Sequence, residues 1–304
     1  MNKIGTYTLL KILNLFSNLS WKYSYWLSDA LKWIIFDVVG YRKKVIAQNL
    51  KRSFPEKSDA ALHKIAEDFY LHFSDLLVET IKLKKITSSE INDRLQGDIS
   101  IMDGYFRSNT NLIYLMGHRG NWELANLFSS LRFSHDCIVV YRPLQNKDSD
   151  EWFLDLRTRF GAKLVPMDEI FKELQKPRTT PYCVVLANDQ SPNPKTAFWT
   201  QFLHQDTGIF RGVEAMARRY DLTVLYADFR KAPHQRGHYE VEITVITENP
   251  KDEPVNGILE KQIRLLEQDI CNQPHNWLWS HRRWKHARPV HLRPDQVYSQ
   301  PSAT

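Results

Sequence analysis

The run Asn111 to Phe128, NLIYLMGHRGNWELANLF, decides how the rest of the chain is read. Leu112 to Met116 is a short unbroken apolar run, the mark of a strand buried on both faces. Gly117 breaks it, and His118, Arg119, Gly120 and Asn121 form a loop. From Trp122 the apolar spacing turns helical, with Glu123 in the first turn. The unit is strand, histidine, glycine turn, helix. His118 and Glu123 stand five residues apart, too far to face each other within one helix, where neighbours lie three or four apart. Across a turn into a helix start they can converge. A carboxylate accepting from one imidazole nitrogen fixes the tautomer and leaves the other nitrogen free to take a proton. The pair reads as a general base with its orienter. The plainer alternative is a surface pair, with Glu123 placed to complement the helix dipole. In open α/β sheets, ligands collect at the carboxyl ends of strands, where His118 sits. Gly120 allows close backbone approach to a substrate, and Asn121 offers an amide to an oxyanion.

Outward from this unit the chain alternates strand and helix. Strands are predicted at Leu112–Met116, Cys137–Tyr141, Lys163–Val165, Cys183–Ala187, Leu222–Ala227 and Tyr239–Thr247. Helices are predicted at Trp122–Leu131, Glu151–Phe160, Glu169–Leu174, Arg211–Tyr220 and Asn256–Cys271. Tyr239–Val245 alternates apolar and polar residues, as a half-exposed antiparallel strand does. Upstream, Ala60–Leu83 is a long amphipathic helix, and Thr87 with Glu90 has capping-box spacing. The expected fold is α/β, a single mixed-sheet domain over 58–304 with flanking helices, preceded by an N-terminal helical, membrane-associated lobe over 1–57.

That lobe is read from aromatic and apolar density. Leu9, Leu10, Ile12, Leu13, Leu15 and Phe16 follow Lys3 but are interrupted by Lys11 and Asn14, with no signal-peptide cleavage site. Trp21 to Tyr41 is apolar yet carries Lys22, Asp29, Lys32 and Asp37, so neither stretch has the uncharged length of a spanning helix. Helices lying in the membrane interface fit, with Trp21, Tyr23, Tyr25, Trp26 and Trp33 at headgroup depth; a packed helical hairpin is the alternative. The basic run Arg42, Lys43, Lys44, Lys51, Arg52 and Lys57 follows, suited to anionic headgroups or to solvent. The net charge of +6 favours anionic partners in general. Cys137, Cys183 and Cys271 form no disulfide framework, which indicates a reducing compartment.

Other candidates lie at predicted strand ends. Arg142 follows the second long strand, and Arg157 and Arg159 follow on the next helix; such arginines bind phosphate or carboxylate, or make salt bridges. Asn188, Asp189 and Gln190 follow the fourth and open a Pro-rich loop, at the same sheet edge as His118. Gln273 to Arg288 interleaves Trp277, Trp279 and Trp284 with Arg282, Arg283 and Lys285, a pattern that also holds single-stranded nucleic acid. The irregular spacing of Cys271, His275, His281 and His286 among cations argues against a metal. The chain lacks a G-x-S-x-G elbow, a P-loop and a dinucleotide glycine fingerprint, so activation of a substrate hydroxyl suits the histidine best.

In order along the chain, NLKRSFPE at 49–56, GHRGNWE at 117–123, YRPLQN at 141–146, NDQ at 188–190 and WLWSHRRWK at 277–285 resemble the bacterial lipid A late acyltransferases, a branch of the lysophospholipid acyltransferase family. The resemblance implies transfer of an acyl chain from an acyl carrier protein thioester, or a CoA thioester, to a hydroxyl of a lipid A precursor or related glycolipid. It implies no other cofactor and no nucleic-acid partner, with anionic lipids nearby at the cytoplasmic face of the inner membrane. Relatives that acylate phosphatidylinositol mannosides or amino-acid lipids give the alternative acceptors, and a basic nucleic-acid or membrane-surface binder is the non-enzyme alternative. Carried over by position, His118 deprotonates the acceptor and Glu123 orients it. Asn121 or Arg157 would hold the oxyanion, and Gly120, Arg142, Asp189 and Gln190 would line the substrates. Two departures, Phe202-Leu203-His204 in place of a Phe-Phe-Gly-like stretch and Arg119 in place of an aliphatic or aromatic residue, imply a change in acceptor or chain-length choice.

Overall fold

The computed structural model describes residue 11 and residues 13–292; Lys3, Leu9, Leu10 and Ile12 of the N-terminal run lie outside them. The strands are β1 (Leu95–Gln96), β2 (Leu112–Met116), β3 (Asp136–Tyr141), β4 (Lys163–Pro166), β5 (Tyr182–Ala187), β6 (Phe198–Phe202), β7 (Gln205–Ile209), β8 (Thr223–Lys231) and β9 (Tyr239–Thr247). The helices are α1 (Trp21–Lys32), α2 (Lys43–Ser53), α3 (Asp59–Leu83), α4 (Ser88–Arg94), α5 (Ser100–Arg107), α6 (Trp122–Arg132), α7 (Lys147–Arg157), α8 (Ile170–Leu174), α9 (Gly212–Tyr220) and α10 (Gly257–Asn272).

β2 is central because every one of its residues is apolar and buried. It sits in a seven-stranded sheet of order β1-β9-β8-β2-β5-β3-β4. β8, β2, β5, β3 and β4 run parallel, and β9 returns antiparallel to β8, as its alternation predicts. Side chains of β2 alternate between two cores. Ile113 and Leu115 join Phe69 of α3, Met216 of α9 and Leu266 of α10. Leu112, Tyr114 and Met116 join Leu124 and Phe128 of α6 and Leu156 of α7. Each such fully buried side chain contributes about 2 kcal/mol, so the helical layers hold the sheet from both faces.

The register of β2 on β5 places Met116 opposite Ala187. Two residues past these partners stand His118 and Asp189, so the ladder itself delivers the two side by side at the carboxyl edge. α6 starts where it does because Asn121 caps it, its side-chain oxygen accepting the Leu124 N–H at 2.9 Å.

The structure shifts several expected boundaries. α7 begins at Lys147 rather than Glu151, because Asn146 caps it by accepting the Ser149 N–H. β6 and β7 form an antiparallel hairpin that apolar patterning does not reveal. Its turn is Leu203 and His204, both in the left-handed region (φ 49° and 60°). The triplet expected to bias acceptor choice is therefore the tip of a hairpin.

In α1 the 3.6-residue period turns Trp21 and Tyr25 inward. The Trp21 indole N–H donates to Glu90 at 2.9 Å, and the Tyr25 hydroxyl donates to Glu79 at 3.1 Å. Of the five aromatics expected at headgroup depth, Tyr23, Trp26 and Trp33 face outward, the last two 61% exposed. A π-helix over Trp33–Val38 follows, anchored by Phe36 stacked on Tyr70 at 4.1 Å. No described helix is long and apolar enough to cross a membrane.

Candidate active site

His118 lies at the mouth of the sheet edge, its side chain 18% exposed beside an almost fully buried Asp189. The His118 Nδ1 and Asp189 Oδ1 are 2.5 Å apart. The other oxygen, Oδ2, accepts the His118 backbone N–H at 2.7 Å and the Trp277 indole N–H at 2.8 Å. A buried carboxylate with this many donors stays ionised. It also requires a hydrogen on Nδ1, which leaves the Nε2 lone pair of the neutral ring free of Asp189. There the side-chain amide nitrogen of Gln190 lies 3.1 Å away. The imidazole edge rests on Trp122, with ring centroids 5.1 Å apart.

The electrostatics follow from this packing. Burial pulls the His118 pKa down, but the charge and hydrogen bond of Asp189, helped by Glu123, outweigh it and raise the group above its ordinary value, with Arg157 opposing. Burial raises the Asp189 carboxyl, yet the imidazole and the donors from His118 and Trp277 hold it well below the usual range. His281 is pushed down to about 4, by burial first and then by Arg283 and His118.

Glu123 does not hold the imidazole. Both its oxygens are taken by Arg157, whose Nε donates at 2.8 Å and Nη2 at 2.6 Å. The reason is burial: a carboxylate 5% exposed on the inner face of the first helical turn needs a cation, and Arg157 at the end of α7 supplies one bidentately. Of the two expected oxyanion donors, Asn121 is also committed. Its oxygen caps α6 and its amide donates to Glu79 at 2.8 Å. Gly120 (φ 56°) makes its close approach to the protein, since a Cβ there would lie 2.8 Å from the Phe229 carbonyl oxygen. Arg119 is 1% exposed, ion-paired to Asp228 and donating to the Asp269 carbonyl at 2.8 Å. Its departure from the family pattern therefore fills an interior charge cluster, not a substrate wall. Arg159 donates to the carbonyls of Leu83, the last residue of α3, and of Ile86 just after it. Arg142 stays on the exposed loop after β3.

Residues outside the expected set build the rest. Glu79 of α3 accepts from Tyr25, Asn121 and Tyr239, tying the N-terminal helices and β9 to the cap of α6. The C-terminal segment is stitched beneath the turn at 117–121. Gly120 donates to the Asn276 carbonyl at 3.1 Å, and Asn276 donates to Phe229 at 2.9 Å. Trp277 and Trp279 are buried at 2% and 0%, so they support Asp189 and the core and are closed to nucleobases. Sequence carries one signal for this, in that Asn121 directly before a helical run reads as an N-cap. Cys137 and Cys183 are buried, and burial raises both thiols.

The arrangement can take a proton from a hydroxyl and can hold the imidazolium that results. A family model described as bacterial lipid A biosynthesis acyltransferase matches residues 3–286. No curated protein matches the chain at a significant level.

Proposed function

Starting from a chain that belongs to the bacterial lipid A biosynthesis acyltransferases, and so is an acyltransferase, we propose that His118, oriented by Asp189, is the general base for transfer onto a lipid hydroxyl. The observation that carries this is the 2.5 Å contact from Nδ1 to a buried, ionised Asp189, which leaves Nε2 outside that pair. The proposed donor is an acyl thioester on an acyl carrier protein, and the proposed acceptor a hydroxyl of a lipid A precursor or related glycolipid. Nε2 takes the hydroxyl proton as the alkoxide oxygen bonds to the thioester carbon. The carbon–sulfur bond then breaks, and the leaving thiolate receives the proton from the imidazolium. No described cysteine is activated, and the Ser191 hydroxyl is spent on the Arg283 carbonyl at 2.7 Å, which supports direct transfer without an acyl-enzyme. Arg157 uses Nε and Nη2 on Glu123, leaving its remaining N–H groups for the oxyanion; Glu123 adds negative potential that favours the imidazolium.

The outer surface supports a membrane-borne acceptor. Tyr23, Trp26, Trp33, Ile34, Val38 and Val39 are exposed together along the N-terminal helices, followed by the exposed cations Arg42 and Lys44. Aromatic and apolar groups beside cations suit the interface of an anionic bilayer. The proposed location is peripheral, at the cytoplasmic face of the inner membrane.

The test is acyl transfer from acyl carrier protein thioester to lipid A precursor in vesicles. His118→Ala is expected to lose roughly 10²- to 10⁴-fold in rate while remaining folded by circular dichroism, with some loss of stability because buried Asp189 loses its partner. Retained activity in a folded His118→Ala protein refutes the reading.

A further inference from the structure

The amide of Gln190 stands where a proton donor to the base must stand. Asp189 accepts from Nδ1, so Nε2 of the neutral ring carries a lone pair, and only the amide N–H of Gln190 can face it at 3.1 Å. A lone pair with one acceptor direction cannot serve two donors at once. We propose that Gln190 is a placeholder for the acceptor hydroxyl, a positioning residue that occupies Nε2 and is displaced when the acceptor binds. The inference rests on the base assignment above and deepens it by fixing where the acceptor oxygen sits.

The loop is built to let this one side chain move. Asp189 is pinned by His118 and Trp277. Ser191, on the other side, is pinned through the Arg283 carbonyl at 2.7 Å and the Arg282 carbonyl at 3.2 Å. Between them Gln190 is half-exposed, and among the described residues its amide has no other hydrogen bond. The backbone is fixed while the side-chain torsions are free, so rotation of Gln190 empties the lone pair without moving the imidazole. A hydroxyl arriving in its place donates along the same direction and meets a ring already held in the reactive tautomer. The displaced amide, one hydrogen bond from that oxygen, remains beside the acceptor.

The probe is diethyl pyrocarbonate, which acylates a neutral imidazole at a free lone pair and needs neither acyl donor nor lipid. Carbethoxylation of His118 is followed by peptide mass mapping of the full chain at pH 8, with exposed His204 as the internal standard. Gln190→Leu is expected to speed modification of His118 roughly threefold to tenfold relative to His204, the effect of removing one hydrogen bond that masks the lone pair. Gln190→Ala is expected to do the same and covers the case in which leucine disturbs folding. Unchanged or slower modification of His118 in a folded variant overturns the proposal. Because the readout involves no acyl transfer, it stands apart from the assay of His118→Ala, and the two readings fail separately.

Discussion

At the scale of single residues, the division of labour between two carboxylates is set by what each can reach. Asp189 reaches the imidazole because parallel pairing of β2 and β5 puts it two residues past the partner of Met116. Glu123 points into the layer between α6 and α7, where Arg157 meets it. His118 as the proposed base and its place at a strand end are legible in the sequence. Its orienter is not, because 71 residues separate it from Asp189 and no local spacing encodes a cross-strand register. Breaking the second pair by Arg157→Met leaves Glu123 buried and unpaired, which is expected to cost about 3–5 kcal/mol in denaturant unfolding. Glu123→Leu in the same background is expected to recover most of that loss. A single variant as stable as the parent would show that the carboxylate finds another partner.

At the scale of elements, the strands around the site are legible because buried parallel strands announce themselves as apolar runs. The β6–β7 hairpin is not, since Leu203 and His204 are poor turn formers held left-handed by the strands they join. Leu203 is buried, whereas His204 is exposed and its side chain makes no hydrogen bond among the described residues that would offset its backbone cost. His204→Gly should therefore stabilise the protein by about 1 kcal/mol, read as a rise of roughly 2 °C in Tm by calorimetry. A fall in Tm would mean that the turn does not sit left-handed in solution. The start of α7 carries a readable signal in Asn146 as a cap, which outweighs the apolar periodicity that begins at Trp152.

At the scale of the whole molecule, α1 and the tryptophan segment after α10 converge on the central turn. α1 reaches it through Tyr25 and Glu79, and the tryptophan segment through Asn276 and Trp277. The sequence shows both ends as aromatic and basic without revealing which rings are structural. Periodicity separates them only once the packing partner is known: Trp26 and Trp33 remain outside, while Trp277 and Trp279 are enclosed. If His118 is the base as proposed, the pH dependence of the whole enzyme follows from it. A base must be neutral to act, and Asp189 raises the pKa of His118, so the rate climbs with pH through a midpoint above the ordinary imidazole value. The most direct measurement is the pH–rate profile of acyl transfer for the parent, Asp189→Asn and Glu123→Gln. Asp189→Asn is predicted to move the acid limb to lower pH and to reduce the maximal rate by roughly 10²- to 10⁴-fold, with Glu123→Gln producing the smaller change in both. A larger loss and a larger shift in Glu123→Gln than in Asp189→Asn would contradict the account.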